Sequence, residues 1–294
     1  MKPAVFDYRA PETVQEALDA LAEAPGDASL LAGGQSLVPL LNMRLARPTI
    51  VVDLNRVAAL ASVEVFDGHV RIGAMVRQRA LETDKRICEP LPLLEEAARQ
   101  IAHVPIRMRG TVGGSLAHAD PAAELPAAMI ALGARMRVAG SGGKAWTLAA
   151  DEFFVGPLTT VLEPGTLLAG VEVDVPAHGT GWSFLEVART HGAFALVGVA
   201  ALLHLDDTGA IDFARLALCG VGGRPYSPEW LAETAVGERP SDLLFTQIAH
   251  RVAESIRPHA DGNAGREYRR SVARVLTARA LRAASARAYR GAER

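Results

Sequence analysis

Two short stretches carry residues whose types and spacing suit a definite chemistry. LLAGGQSL, residues 30–37, and TVGGS, residues 111–115, each set a glycine pair and a serine beside a helical pattern. A glycine pair admits positive φ and lets a backbone approach a ligand closely. Successive N–H groups in such a turn make a concave nest for phosphate oxygens, and a following helix N-terminus adds its positive dipole. Ser36 and Ser115, directly after the pairs, could cap those helices or donate to a phosphate. Two nests would grip a diphosphate; two Gly-Gly-Ser turns would serve equally as plain connections. The residues alone leave both readings open. Neither stretch is GxGxxG and no GxxxxGK[ST] occurs, since Lys144 in GSGGKAW lacks the first glycine. A dinucleotide held here is held outside the Rossmann and P-loop schemes.

Other chemistry is sparse. Cys88 and Cys219 are the only cysteines, too far apart in sequence for a CxxC motif. The eight histidines show neither HxxH nor HExxH spacing, so no metal site is expected. A chain that is 49% hydrophobic and 22% charged is globular, and a net charge of −2 gives no general attraction to nucleic acid or anionic membrane. The opening MKPAVFDYRAPETV lacks a signal-peptide core and no apolar run reaches membrane-spanning length, so a cytoplasmic protein without a membrane span is expected. Arg266, Arg269, Arg270, Arg274, Arg279 and Arg282, interleaved with Val272, Val275, Leu276 and Leu281, suggest an amphipathic helix with a solvated basic face rather than a nucleic-acid surface.

The elements that must position these residues follow from pattern. Thr13 and Glu16 form a capping box ahead of a helix through Leu18, Leu21 and Ala22. A buried strand over 29–32, a helix over 36–45 with Pro39 in its first turn, and a strand over 49–54 complete a βαβ-like unit. A hairpin about Asp67-Gly68, a helix over 91–104, a helix over 121–132 and a hairpin in ARMRVAGSGGKAWTL follow. Asp120-Pro121 reads as N-cap and first helical position, with Glu124 one turn further on. Composition changes at VPAHGTG, which divides the chain into 1–176, with subdomains of about 1–55 and 56–176, and 177–294. The second unit carries strands in FALVGVAALLHL and FARLALCGV joined by DDTG, then helices over 241–256 and 265–288, a small α+β domain.

AGGQSLVPLLNMRL, IRMRGTVGGSLAHADPAAELPAAMIALGA, FFVGPLTTVLEPGTLLAGVEV and FLEVARTHGAFALVGVAA, in that order, resemble the FAD-binding medium subunit of molybdenum hydroxylases. This is the group of carbon monoxide dehydrogenase, xanthine dehydrogenase and aldehyde oxidoreductase. The resemblance runs over nearly the whole chain, from MKPAVFDYRAPETVQEALDALAE to a looser EYRRSVARVLTARAL. It implies an α+β fold: a two-subdomain FAD-binding domain of the vanillyl-alcohol-oxidase-like (PCMH) type, then a small α+β domain with an antiparallel sheet and helices.

Carried over residue by residue, the resemblance wraps the FAD diphosphate with Leu30, Leu31, Ala32, Gly33, Gly34, Gln35, Ser36 and Leu37. Thr111, Gly113, Gly114 and Ser115 would form the second nest. Asp120 and Glu124 join the cofactor set, Leu168 and Leu185 would line the isoalloxazine end, and Phe194 would sit against the flavin ring. By their residue types alone, Asp120 and Glu124 serve a helix N-terminus and Leu168, Leu185 and Phe194 serve a core. Ala193 stands where the family often has an acidic residue.

The implied cofactor is FAD, non-covalent because the nests hold no cysteine or histidine to link it. The implied partners are a molybdopterin-binding large subunit and a small subunit with two [2Fe–2S] clusters, in a dimer of heterotrimers, together with an external electron acceptor. Two lone cysteines cannot ligate a cluster that needs four. The rival readings are a free-standing flavin oxidoreductase with His191 as proton acceptor, and a non-catalytic nucleotide-binding module.

Overall fold

The computed structural model describes residues 2–292. Its first layer is a parallel sheet of β1 (Asp7–Arg9), β2 (Ala28–Leu31) and β3 (Ile50–Asp53), in the order β1–β3–β2. Helix α1 (Val14–Ala22) makes the first crossover, with the Thr13 hydroxyl accepting from the Glu16 N–H at 3.1 Å. Glu16 reaches back to the Glu12 N–H, at 2.8 Å, so the capping box is offset by one residue. The second crossover, α2 (Leu37–Asn42), is shorter than expected, because Arg44 turns left-handed at φ +59° and closes it. Strand β2 is half-buried rather than buried.

The second layer is an antiparallel sheet of β4 (Val63–Phe66), β5 (His69–Gly73), β6 (Arg135–Gly140), β7 (Ala145–Ala149) and β10 (Thr166–Asp174), in the order β4–β5–β10–β6–β7. Asp67 and Gly68 at φ +40° and +78° form the expected tight turn between β4 and β5. The inward residues Val70, Ile72 and Met136 meet a helical layer of α3 (Ala80–Thr83), α4 (Lys85–Cys88), α5 (Pro92–Gln100), α6 (Val104–Arg107), α7 (Val112–His118) and α8 (Glu124–Leu132). The outward row is charged: Arg71 bridges Glu64 and Glu172, and Arg135 bridges Glu172 and Asp174. Helix α9 (Ala150–Phe153) and the small hairpin of β8 (Phe154–Gly156) and β9 (Thr159–Thr160) lead into β10 (Thr166–Asp174).

The helix expected over 91–104 stops at Gln100, and α6 begins only at Val104. Ile101 leaves helical geometry and Ala102 turns left-handed at φ +39°. Arg107 holds the break by donating to the carbonyls of Ile101 and Ala102, at 2.6 and 3.1 Å.

The third layer is the antiparallel sheet β11 (Gly181–Ala188), β12 (Ala195–Leu205) and β13 (Ile211–Cys219). One face packs on α10 (Leu231–Ala235), α11 (Asp242–Ser255) and α12 (Arg266–Ala292), the other on α5 and α8. Cover on both faces explains why β12 reads as an unbroken apolar run. The basic side of α12 is not simply solvated. Arg269 is buried, donating to the carbonyls of Leu196 and Gly220 and pairing with Asp261 at 2.8 Å, whereas Val275 is exposed. The layers are tied where the Gly220 N–H donates to the Pro121 carbonyl at 2.8 Å and the Phe184 N–H donates to Glu96 at 2.9 Å.

Candidate functional site

The loop after β2, the start of α7, the α6 segment and residues 192–194 surround one cleft of ≈ 870 Å³. Every residue carried over from the sequence lines it except Leu31 and Leu185. Leu31 lies beneath the first loop, its Cδ1 3.4 Å from where a Cβ on Gly34 would stand. Leu185 packs instead against the core under α11 and α12.

The first loop is a nest. Gly34 sits at φ +74°, and the N–H groups of Gly34, Gln35 and Ser36 meet no acceptor among the described residues. Three adjacent free amides in a glycine turn are a ready anion cradle. The Gln35 side chain braces the turn by donating to the Gly33 carbonyl at 3.1 Å, while the Ser36 hydroxyl caps nothing. A Cβ on Gly33 would collide with the Arg109 carbonyl and lie 2.7 Å from Gly110 Cα. Glycine here lets the two loops touch backbone to backbone.

The second stretch is different. Gly113 and Gly114 lie inside the first turn of α7, not in a turn before it, and neither has positive φ. Thr111 is the N-cap, its hydroxyl accepting from the Gly114 N–H at 3.0 Å. The Val112 and Gly113 amides are spent on the carbonyls of Val76 and Ala74. No amide nest forms at this position, so the hydroxyls of Thr111 and Ser115 are what it offers a ligand. Its glycines serve close approach: a Cβ on Gly113 would lie 2.7 Å from Ala74 Cα, and one on Gly114 3.3 Å from Ala32 Cβ.

Asp120 is not a helix cap. Its carboxylate accepts from the Ala122 N–H at 2.8 Å, and α8 begins only at Glu124 because the Pro121 carbonyl is committed to Gly220. Glu124 is therefore the first residue of the helix, 8% exposed. Burial pushes its carboxyl up to about 7, aided by Asp120 and opposed by its own N–H and by Arg107. Phe194 is 71% exposed at the cleft edge rather than packed in a core.

Several lining residues escaped the sequence reading. Gln78 is buried in the wall, and its side-chain oxygen meets no hydrogen-bond partner among the described residues. His103 follows the helix break, its ring 5.4 Å from that of His191, and Gly192 at φ +80° presses on it. Glu163, Pro164 and Gly165 close another side. Only the break itself left a sequence signal, in the proline of HVPIR.

Free amides, a cradle that Cβ atoms would fill and a volume in the range of cofactor pockets fit a flavin dinucleotide. Residues 4–177 match the model of the FAD binding domain in molybdopterin dehydrogenase, and residues 182–284 that of the CO dehydrogenase flavoprotein C-terminal domain. The chain belongs to this flavoprotein family. It is 38% identical to caffeine dehydrogenase subunit beta of Pseudomonas sp. strain CBB1, over 98% of this chain and 97% of that one. It is 35% identical to the carbon monoxide dehydrogenase medium chain of Afipia carboxidovorans, over 98% and 99%. Among solved structures, carbon monoxide dehydrogenase from Hydrogenophaga pseudoflava superposes with a TM-score of 0.94 at 33% identity, over 98% of this chain and 99% of that one. Quinoline 2-oxidoreductase from Pseudomonas putida 86 superposes at 0.92 and 38% identity, over 98% and 99%. The flavoprotein fold is thus two units, an FAD-binding domain and a C-terminal domain, with mixed helices and antiparallel sheets around the cleft.

Proposed function

We propose that this chain is the FAD-carrying electron-transfer subunit of a molybdenum hydroxylase. The observation that carries the reading is the single cleft that joins the Gly34 nest, the α7 hydroxyls, Glu124 and Phe194 within a medium-subunit fold. The free amides of Gly34, Gln35 and Ser36 and the hydroxyls of Thr111 and Ser115 would hold the diphosphate. Leu168 and Phe194 would flank the flavin ring, and the exposed Phe194 would leave it open to an arriving acceptor. FAD bound there would supply the redox chemistry, taking up electrons and passing them on. The protein contributes position, charge and exclusion of water, and no side chain acts as a nucleophile.

Electrons would come from [2Fe–2S] clusters on a small subunit, fed by a molybdopterin-binding large subunit, in a cytoplasmic dimer of heterotrimers. Support comes from the relatives named dehydrogenase medium chain or subunit, and from a chain with two cysteines. The division at 176/177 belongs to the same reading. Its rival, a free-standing oxidoreductase, would use the exposed His191, whose ring lies 5.4 Å from that of the cleft-lining His103, as a proton acceptor.

Reconstitution separates the two. Mixed with its molybdenum and iron–sulfur subunits, the chain should show substrate-dependent flavin bleaching that is lost when the iron–sulfur subunit is omitted. Turnover of an aldehyde, purine or N-heterocycle by this chain alone, at the rate of the complex, would replace the subunit reading with the free-standing enzyme.

A further inference from the structure

Polar side chains form a continuous bridge between the two glycine loops of the cleft. Asp53, at the end of β3, accepts from the Tyr8 hydroxyl at 2.6 Å and from the Asn55 N–H at 2.9 Å. Asn55 Nδ2 donates to the Asp53 carboxylate and, at 3.0 Å, to the Ala32 carbonyl just ahead of the first glycine pair. Asn55 Oδ1 accepts from Arg77 Nη2 at 2.6 Å, and Arg77 Nη1 donates to the Arg109 carbonyl at 2.7 Å. Two acceptors on one side of the carboxamide and a guanidinium on the other fix which way it faces.

The second loop is fastened to the Arg77 segment by its main chain: the Gln78 N–H donates to the Gly110 carbonyl and the Val112 N–H to the Val76 carbonyl, each at 2.9 Å. The first loop has no such tie. Among the described residues no main-chain hydrogen bond joins residues 32–36 to residues 109–115, although a Cβ on Gly33 would strike the Arg109 carbonyl. The loops touch without bonding, and the hydrogen-bonded route between them runs through Asn55 and Arg77. A trans peptide carries its C=O and the following N–H on opposite edges. Drawing the Ala32 carbonyl towards Asn55 therefore turns the Gly33 N–H the other way, and that N–H meets no acceptor among the described residues.

We propose that Asn55 and Arg77 are positioning residues for the flavin nucleotide. Their bridge holds the free amides of the first loop at a fixed spacing from the Thr111 and Ser115 hydroxyls, so the diphosphate meets a cradle already formed. Neither side chain lines the cleft, and the effect reaches the ligand through the two loops. Donors held in place beforehand spare the ordering cost that binding otherwise carries. The inference rests on the cleft being the flavin site.

The test is a double-mutant cycle on the full-length chain, with FAD affinity read by flavin fluorescence. Asn55→Ala and Arg77→Met should each weaken FAD by about tenfold, since either change cuts the bridge. The double variant should bind within about twofold of the weaker single, because a bridge already cut has little left to lose. Wild-type affinity in either single, or losses that multiply in the double, would overturn the proposal. Riboflavin, which has no phosphate, should bind all four chains alike; a riboflavin loss as large as that of FAD would mean general loosening and would also overturn it. Hydrogen exchange of the flavin-free chain gives a readout that needs no cofactor. Asn55 makes no hydrogen bond to the second loop, yet Asn55→Ala should raise exchange over residues 110–113. Unchanged exchange there would overturn the bridge. A wild type that takes up no FAD would instead sink the flavin-site reading, and the exchange measurement would still judge Asn55 and Arg77.

Discussion

Gly34 is the residue on which the diphosphate reading turns, and it makes a demand that its partner glycines do not. At φ +74°, with a Cβ 3.1 Å from Val38 Cγ2, a β-branched side chain is strained by conformation and by space. Gly34→Val should therefore strip FAD while far-UV dichroism reports a folded chain; wild-type flavin content in the purified variant would remove the nest from the account. Gly114→Val should also lose flavin, but for another reason: its Cβ would lie 2.7 Å from the capping Thr111 Oγ1 and push α7 off the first loop. Thr111→Ala removes the cap together with a diphosphate-facing hydroxyl, and should lower stability by about 1 kcal/mol in denaturant titration and weaken FAD binding with it. Phe194, at 71% exposure, should tolerate alanine within about 0.5 kcal/mol, and the change should appear in the rate of flavin reoxidation. A melting-point drop of core-deletion size would mean that Phe194 is packing after all.

At the scale of elements, the α6 segment shows how a buried ion pair shapes a cleft wall. Arg107 and Glu82 are 5–6% exposed along their side chains, and Arg107 also holds the two carbonyls at the helix break that precedes His103. Arg107→Met leaves buried Glu82 with Arg79 as its remaining partner and strips the donors from the Ile101 and Ala102 carbonyls, which should cost about 3 kcal/mol and raise hydrogen exchange over residues 101–107. An unchanged unfolding midpoint would show the pair to be dispensable. This segment also marks where local pattern stops being informative. Hairpins such as the one at Asp67-Gly68, and the α11 start at Ser241, were legible because turn and cap chemistry is local. The late start of α8 and the spent amides of α7 were not, and the break at Ile101 was marked only by Pro105. α8 and α7 are decided by partners distant in sequence, Gly220 for the first and Ala74 with Val76 for the second, whereas Arg107 holds the break from only five and six residues away. Most of the residues carried over from the family resemblance meet at one cleft, whereas Gln78 and His103, which also line it, carried no local mark.

For the whole molecule, charge sets a pH window of stability with opposite slopes at its two ends. Glu124 and Glu186 have carboxyls raised from 4.5 to about 7 and about 8, chiefly by burial. Between those limits the folded chain binds more protons than the unfolded one, so stability falls as pH rises through the window. Glu172 and Asp174, held low chiefly by hydrogen bonds from Arg135, work the other way and lose their contribution as pH falls into the acid range. Thermal unfolding should thus peak on the mildly acidic side of neutrality, and Glu186→Gln should flatten the alkaline decline; a wild-type maximum above pH 8 would contradict this assignment. All these expectations presuppose one cofactor in one cleft. The direct measurement is the flavin content of the purified chain after incubation with excess FAD, followed by acid precipitation. The account predicts one equivalent of FAD per chain, all of it released to the supernatant. A chain that takes up no flavin, or a pellet that stays yellow, would contradict it.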